Sequence, residues 1–370
     1  MMKTLSKWIN ATAGLMLIFS PACNFYDATI DAVSGATGMP QGGNSLFHRT
    51  EETALSMGEI LISGEVKNNE TVDFSKLYKR EVIVKESLLD STGINFIGAY
   101  RYKGYSLFDM LNTVELAKKN QEAFRPIIDL YVIVRNATGE TTVFSWAEIF
   151  LTADPHQVLI ATESAPIKPY RKEVDYPVAE SWKLVSARDL FAFRNIENPT
   201  SIEIRSFDKK DFPIIRDMEP LYAENIAVWK QDSLLKTIST IPENLPIQAY
   251  ITNFYGMGMG FHPNDGFKGV ALSQILENVV DFYDPCLNQH GLVCFAGADG
   301  YRTVYSFSEL FNRPDGLSPI LDISRQDSSG GKFRLFHPEE FYADRSVKAL
   351  QTIYFFTEKR VNLKGTSITE

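Results

Sequence analysis

Four cations are the first candidates for chemistry. Lys103, Arg194, Lys268 and Arg345 fall at matching places in two stretches of the chain that repeat each other. Lys and Arg hold phosphates through charge-assisted hydrogen bonds, so the four could bind an anion. The plainer reading is solvated or edge-capping surface charge. Cys294 lies in an apolar run and reads as core, because free Cys is among the most buried residue types. Cys286 lies in a loop just before it, and a disulfide between the two is open after export without being specified. Gly256-Met257-Gly258-Met259-Gly260 lacks the strand-and-helix context of a dinucleotide site and reads as a flexible loop. Its two Met could ligate copper, but no His or Cys cluster in the sequence supports them. His262, in Phe261-His262-Pro263, reads as a surface polar residue. No Ser-His-Asp, paired-carboxylate or zinc-ligand spacing can be recognised, so no catalytic residue and no metal ligand is assigned.

Length and composition bound the elements that must position these groups. The chain has 370 residues, room for about two domains of roughly 150 residues each. Hydrophobic residues make up 44 % and charged residues 22 %, a globular balance that argues against long disorder. A net charge of −9 disfavours phosphate backbones, so nucleic acid is not an expected partner. Sixteen Tyr and 25 Phe suggest sheet-rich structure.

The first 22 residues read as a secretory signal peptide. Lys3 and Lys7 give a positive start, Ala11 to Phe19 is apolar, and Ser20, Pro21 and Ala22 are small or turn-forming. The apolar run falls far short of the roughly 20 residues that span a bilayer. Cys23 follows directly. This resembles a bacterial lipoprotein cleavage site, with Ser20 where Leu is usual. The resemblance implies acylation of Cys23 and an exported chain in the bacterial cell envelope, lipid-anchored or periplasmic, with the lipid as its membrane attachment. Residues 23–58, rich in Gly and Ser, read as a flexible tether. Within it lies Asp31-Ala32-Val33-Ser34-Gly35-Ala36-Thr37. The stretch resembles the flavinylation motif of covalent FMN-binding proteins of respiratory sodium pumps and related electron carriers. By that resemblance Thr37 is the FMN attachment site and Asp31 is recognised by a flavin transferase. Ser34, Gly35 and Ala36 would form the compact turn that presents the hydroxyl. In the family the motif lies within a sizeable flavin-binding domain, and here none precedes it. A plain Ser/Gly-rich spacer is the alternative.

The remainder repeats itself. Tyr102-Lys103-Gly104 through Met110-Leu111 matches Phe267-Lys268-Gly269 through Ile275-Leu276. Ala137-Thr138-Gly139 through Ile149-Phe150 matches Ala298-Asp299-Gly300 through Leu310-Phe311. Trp182 to Val185 answers Phe333 to Phe336, Arg194 answers Arg345, and Ile202-Glu203-Ile204 answers Ile353-Tyr354-Phe355. A duplication is the simplest explanation. Each copy predicts a short helix after the Lys-Gly turn and buried strands at Leu130–Val134 and Leu292–Phe295. Hairpin turns follow at Thr138-Gly139 and Asp299-Gly300. Ser145 with Glu148, and Ser306 with Glu309, have the spacing of a capping box.

This order resembles the molybdopterin-binding domain of the sulfite oxidase family, best in the second copy. The resemblance implies an α+β fold of two tandem units, residues 59–206 and 207–358, with mixed sheets and short helices, followed by a tail at 359–370. In the family a Cys upstream of the aromatic-x-Gly turn ligates molybdenum through soft thiolate sulfur. Neither Glu81 to Gly93 nor Leu245 to Gly260 contains a Cys. The first expectation is therefore extracytoplasmic electron transfer through FMN on Thr37, with a flavin transferase and envelope redox partners. The second is a non-catalytic ligand- or protein-binding lipoprotein. A molybdopterin-dependent oxidoreductase ranks third.

Overall fold

The computed structural model describes residues 51–169, 172–324 and 330–358. The signal segment and the motif residues Cys23, Asp31, Ser34, Gly35, Ala36 and Thr37 lie outside them. So does the C-terminal tail. The described residues belong to one unit.

Its first half contains β1 (Thr53–Ala54), β2 (Leu61–Gly64), β3 (Glu70–Thr71), β4 (Arg80–Asp90), β5 (Gly93–Ser106), β6 (Leu130–Asn136), β7 (Thr141–Ser145), β8 (Val158–Pro166), β9 (Lys183–Ser186), β10 (Ile196–Glu197) and β11 (Pro199–Ser206). Its second half contains β12 (Ile226–Lys230), β13 (Ser233–Ile238), β14 (Ile247–Tyr250), β15 (Phe254–Gly256), β16 (Gly260–His262), β17 (Phe267–Ala271), β18 (Gly291–Gly297), β19 (Arg302–Ser306), β20 (Ile320–Asp322), β21 (Arg334–Phe336) and β22 (Leu350–Thr357). Helices are short, as at Leu107–Leu111, Trp146–Phe150, Leu272–Leu276 and Phe307–Phe311. The architecture is thus mixed sheets with a few short helices.

The two halves have the same strand order. One sheet runs β3-β2-β11-β6-β7 and its counterpart β13-β12-β22-β18-β19. In each, one pair is parallel, β2 with β11 and β12 with β22. A second sheet runs β10-β9-β8-β5-β4 in the first half, and β14-β17-β20-β21 in the second has the order of its four strands β4, β5, β8 and β9. The register agrees as well. Ile202 pairs with Ile62 and Val134, and Val134 pairs with Thr142. Ile353 pairs with Val228 and Phe295, and Phe295 pairs with Thr303. These are the positions that the sequence repeat sets opposite one another.

The apolar runs in β6 and β18 follow from burial on both faces. Successive side chains of a strand point to opposite faces. Leu130, Val132 and Val134 enter the core of the first half, while Val293 and Phe295 enter that of the second. The intervening residues meet in a third core shared by both halves. It holds Tyr131, Ile133 and Val143 from the first half, with Leu292, Cys294, Val304, Tyr354 and Phe356 from the second. The two sheets therefore pack against each other, and Cys294 is core as expected.

The repeated Lys-Gly turn also has a physical cause. A Cβ on Gly104 would lie 1.9 Å from the Ile160 carbonyl oxygen, and one on Gly269 would lie 2.0 Å from that of Leu321. The neighbouring strand backbone occupies the space of a side chain, so only glycine fits. One expectation is corrected. Gly256 and Gly260 do not belong to an irregular loop but pair across the β15–β16 hairpin, which also places His262 on a strand.

The shared core predicts that the halves unfold together. Ile133→Ala should cost about 2–5 kcal/mol and leave a single calorimetric transition; two separated transitions would show the halves to be independent.

Candidate functional site

Both capping boxes form, and each does more than cap its helix. Ser145 Oγ accepts the Glu148 N–H at 3.0 Å, and Glu148 Oε1 accepts the Ser145 N–H at 2.7 Å. Ser306 and Glu309 do the same at 3.2 and 2.6 Å. Each box satisfies two N–H groups that the helix start leaves without partners. The remaining capacity of each carboxylate faces a buried arginine.

Arg194 Nη1 donates to both Glu148 oxygens at 3.0 Å, and its Nε and Nη2 fork onto Asp189 at 2.7 and 2.6 Å. Arg345 forks onto Glu309 at 3.1 and 2.8 Å, and Nη1 also donates to Glu340 at 2.8 Å. The environments correspond in detail. Arg194 stacks 4.3 Å over Phe144 and donates to the Val143 carbonyl. Arg345 stacks 3.3 Å over Tyr305 and donates to the Val304 carbonyl. Their guanidinium groups are 1 % and 0 % exposed. Arg194 Nη1 further reaches Ser306 Oγ of the other half at 3.1 Å. The halves are also joined by Asn312, whose amide bonds both backbone groups of Phe191.

A cavity of about 30 Å³ lies between these groups, lined by Glu148, Asp189, Arg194, Glu309, His337 and Glu340 among others. That is room enough for a water molecule. Burial, with Glu309 and Asp189 nearby, pushes the Glu148 carboxyl up to about 7 despite Arg194. Burial and Glu309 push Glu340 up to about 8 against the pull of Arg345. Glu340 Oε1 accepts from Arg345 Nη1, while its Oε2 has no protein partner. Burial, reinforced by Arg345 and Arg313, holds His337 well below its usual value and therefore neutral. No nucleophile stands beside a base here. The arrangement pairs buried arginines with buried carboxylates.

The four candidate anion-binding residues do not form one site. Arg194 and Arg345 are neither solvated nor open to a ligand, because carboxylates already fill their forks. This corrects the anion-binding expectation for both. Lys103, on β5, pairs with Glu52. Lys268 is exposed on β17, its backbone N–H bonded to Asp322 Oδ1 at 3.0 Å. Cys286 and Cys294 are free thiols, so the open disulfide is absent. Glu81 to Gly93 forms β4 and its hairpin turn into β5, and Leu245 to Gly260 spans β14 and reaches into the β15–β16 hairpin.

Sequence reasoning missed Asp189, His337 and Glu340. It found Glu148 and Glu309 only as caps. Among the described residues, no three or more His, Cys, Asp or Glu are grouped to hold a metal ion, and no helix is long and apolar enough to cross a membrane. The larger concavity is an open groove of about 650 Å³ beside Trp182, edged by Ser56, Asn136, Glu140 and Asn195. No family model matches the chain, and no curated protein matches it in sequence.

Two outcomes are expected. Arg345→Ala strands Glu309 and Glu340 and should cost about 3–5 kcal/mol in urea unfolding. The carboxyl protons set a pH dependence with a definite sign. Native Glu148 and Glu340 hold protons that the unfolded chain releases near its ordinary 4.5, so their stabilisation is lost as pH rises towards 7 and 8. His337 acts oppositely, but below its ordinary 6.5. Between pH 6.5 and about 8 the wild type should therefore lose more stability than Glu340→Gln. Equal slopes would exclude this role for Glu340.

Proposed function

We propose that this chain is an exported lipoprotein of the bacterial cell envelope that carries electrons through FMN on Thr37. The observation that carries the reading is the run Asp31-Ala32-Val33-Ser34-Gly35-Ala36-Thr37 in a Gly- and Ser-rich segment close behind Cys23. FMN so attached supplies one- and two-electron transfer. The chain's part is to offer the Thr37 hydroxyl on small neighbours, within reach of a flavin transferase. Acylated Cys23 would hold the tether at a membrane.

In this reading the described residues are a docking body made of two sulfite-oxidase-like units, residues 59–206 and 207–358. Support comes from the matching strand orders, the matching register and the two Glu–Arg centres. Such a body would have no thiolate where the family holds molybdenum. Its buried arginines are paired with its own carboxylates, which favours a rigid platform over an anion-binding enzyme. Envelope redox proteins would be the partners. The groove of about 650 Å³ beside Trp182 favours a second reading, a binding lipoprotein whose ligand lies there.

Intact mass and a visible spectrum of the mature protein from its native envelope test the first reading. The expected result is a flavin spectrum, with an FMN increment on the peptide containing Thr37 that Thr37→Ala abolishes. A colourless, unmodified peptide from cells that possess a flavin transferase would overturn it and leave the binding reading.

A further inference from the structure

The long β4–β5 hairpin ends its sheet with an open edge. β4 pairs with β5 alone and stands last in the order β10-β9-β8-β5-β4. It has 11 residues, whereas its counterpart β14 in the other half has 4. Edge strands are usually kept short, because their outward N–H and C=O groups offer themselves to another strand. Alternate residues of β4 turn these groups away from β5. Among the described residues, nothing beyond β5 hydrogen-bonds the backbone from Arg80 to Glu86. At Ser87 the edge closes. The ladder is irregular between Glu86 and Ser87, and the Ser87 carbonyl accepts the Ala192 N–H at 2.8 Å. The open edge therefore runs from Arg80 to Glu86, with Ile83 at its midpoint.

Successive residues of β4 face opposite sides of the sheet. Val82, Val84 and Glu86 are buried, while Glu81, Ile83 and Lys85 are exposed, Ile83 by 53 %. Among the described residues, Glu81 has one ion-pair contact, Arg101 at 3.9 Å, and Lys85 has none. A lysine on an edge ordinarily opposes strand addition. Here the outer face reads acid, isoleucine, base, an order complementary to its own reverse. Two antiparallel copies of β4 centred on Ile83 set Glu81 opposite the partner's Lys85, and Lys85 opposite the partner's Glu81. Ile83 then meets Ile83, and Val82 meets Val84. Registers centred on Glu81 or Lys85 set like charges face to face. One centred on Val82 puts Glu81 against Ile83, and one centred on Val84 puts Lys85 against Ile83. The register that charge favours is thus the one that the extent of the open edge also favours.

We propose that β4 is a self-association surface, through which two copies of this chain pair antiparallel in the register centred on Ile83. The two-fold axis passes between the two Ile83 residues, so the same patch serves both copies. The outward backbone groups from Arg80 to Glu86 bond those of the partner, and the two sheets become one. Two Glu81–Lys85 pairs flank the central isoleucines on the outer face. Opposite-charge cross-strand pairs stabilise an antiparallel ladder, and like charges directly opposite destabilise it. The surface lies on the folded body and does not depend on FMN at Thr37.

Sedimentation equilibrium of the full chain tests this. The wild type should show a concentration-dependent dimer. Lys85→Glu sets acid against acid twice in a two-fold pair and should weaken the dimer about tenfold. Glu81→Lys should do the same with bases. The double variant Glu81→Lys/Lys85→Glu restores both pairs in the opposite sense and should recover the wild-type dimer. Ile83→Cys in a Cys286→Ser background should give a disulfide-linked dimer on mild oxidation, because opposed residues lie about 4.5–5.5 Å apart. Residues 81, 83 and 85 are exposed, so all variants should keep the wild-type circular dichroism. A monomer at every concentration, as when another segment or a different protein takes the edge, would overturn the proposal. So would a dimer that ignores the single charge reversals, or a double variant as weak as the singles.

Discussion

Each half of this protein closes around a glutamate that has two jobs. Glu148 and Glu309 return to the first N–H of their own helices and also hold an arginine that arrives from much later in the chain, Arg194 or Arg345. Removing one partner of such a buried pair leaves an uncompensated charge and costs about 3–5 kcal/mol. The capping box sets the carboxylate in place, the preceding aromatic supplies a face for the guanidinium, and a second acid completes the fork. Local helix geometry thereby governs a long-range contact. The two centres also meet, because Arg194 bonds the Ser306 cap of the other half and Glu309 raises the proton affinity of Glu148. Changing the charge at one centre is felt at the other.

That coupling depends on the sheets lying back to back. A sheet with one solvated face would read as alternating apolar and polar residues. Here the residues of β6 and β18 that miss their own core fill the shared one, so Tyr131 and Ile133 face Leu292 and Cys294. Polar contacts then gather at the rim of this shared face. Tyr131 donates to Glu358 at 2.6 Å, while Asp129, paired with Lys118 at 2.9 Å, also contacts Arg302 at 3.3 Å. Bidentate and buried pairs tolerate little displacement. The relative placement of the sheets is thus specified by hydrogen-bond geometry as well as by apolar contact.

Much of this was legible where the signal is local. The strands at Leu130 and Leu292, the turns at Gly139 and Gly300, and the caps at Ser145 and Ser306 all follow from nearest-neighbour chemistry. The correspondence of Arg194 with Arg345 was legible too, because the repeat keeps order. Its meaning was not. An arginine reads as an anion-binding candidate until the acids around it are known, and Asp189 and Glu340 are recognisable as partners only after the chain has folded. The Gly256–Gly260 segment shows the same limit from the other side. Its glycines suggest looseness, yet Gly256 and Gly260 pair with each other across a regular hairpin. Composition reports what a backbone is free to do, whereas strand pairing and the Asp344 carboxylate on the Met257 N–H decide what it does.

A body built this way has little charge left for chemistry in its interior. Its buried arginines are paired with its own acids, and the groove beside Trp182 is open. Asp344 bonds the Met257 N–H of an exposed turn, while its neighbour Arg345 anchors the buried centre. In this chain the enclosed acids and arginines join the two halves, through the bond from Arg194 to Ser306 and the Asn312 amide on Phe191.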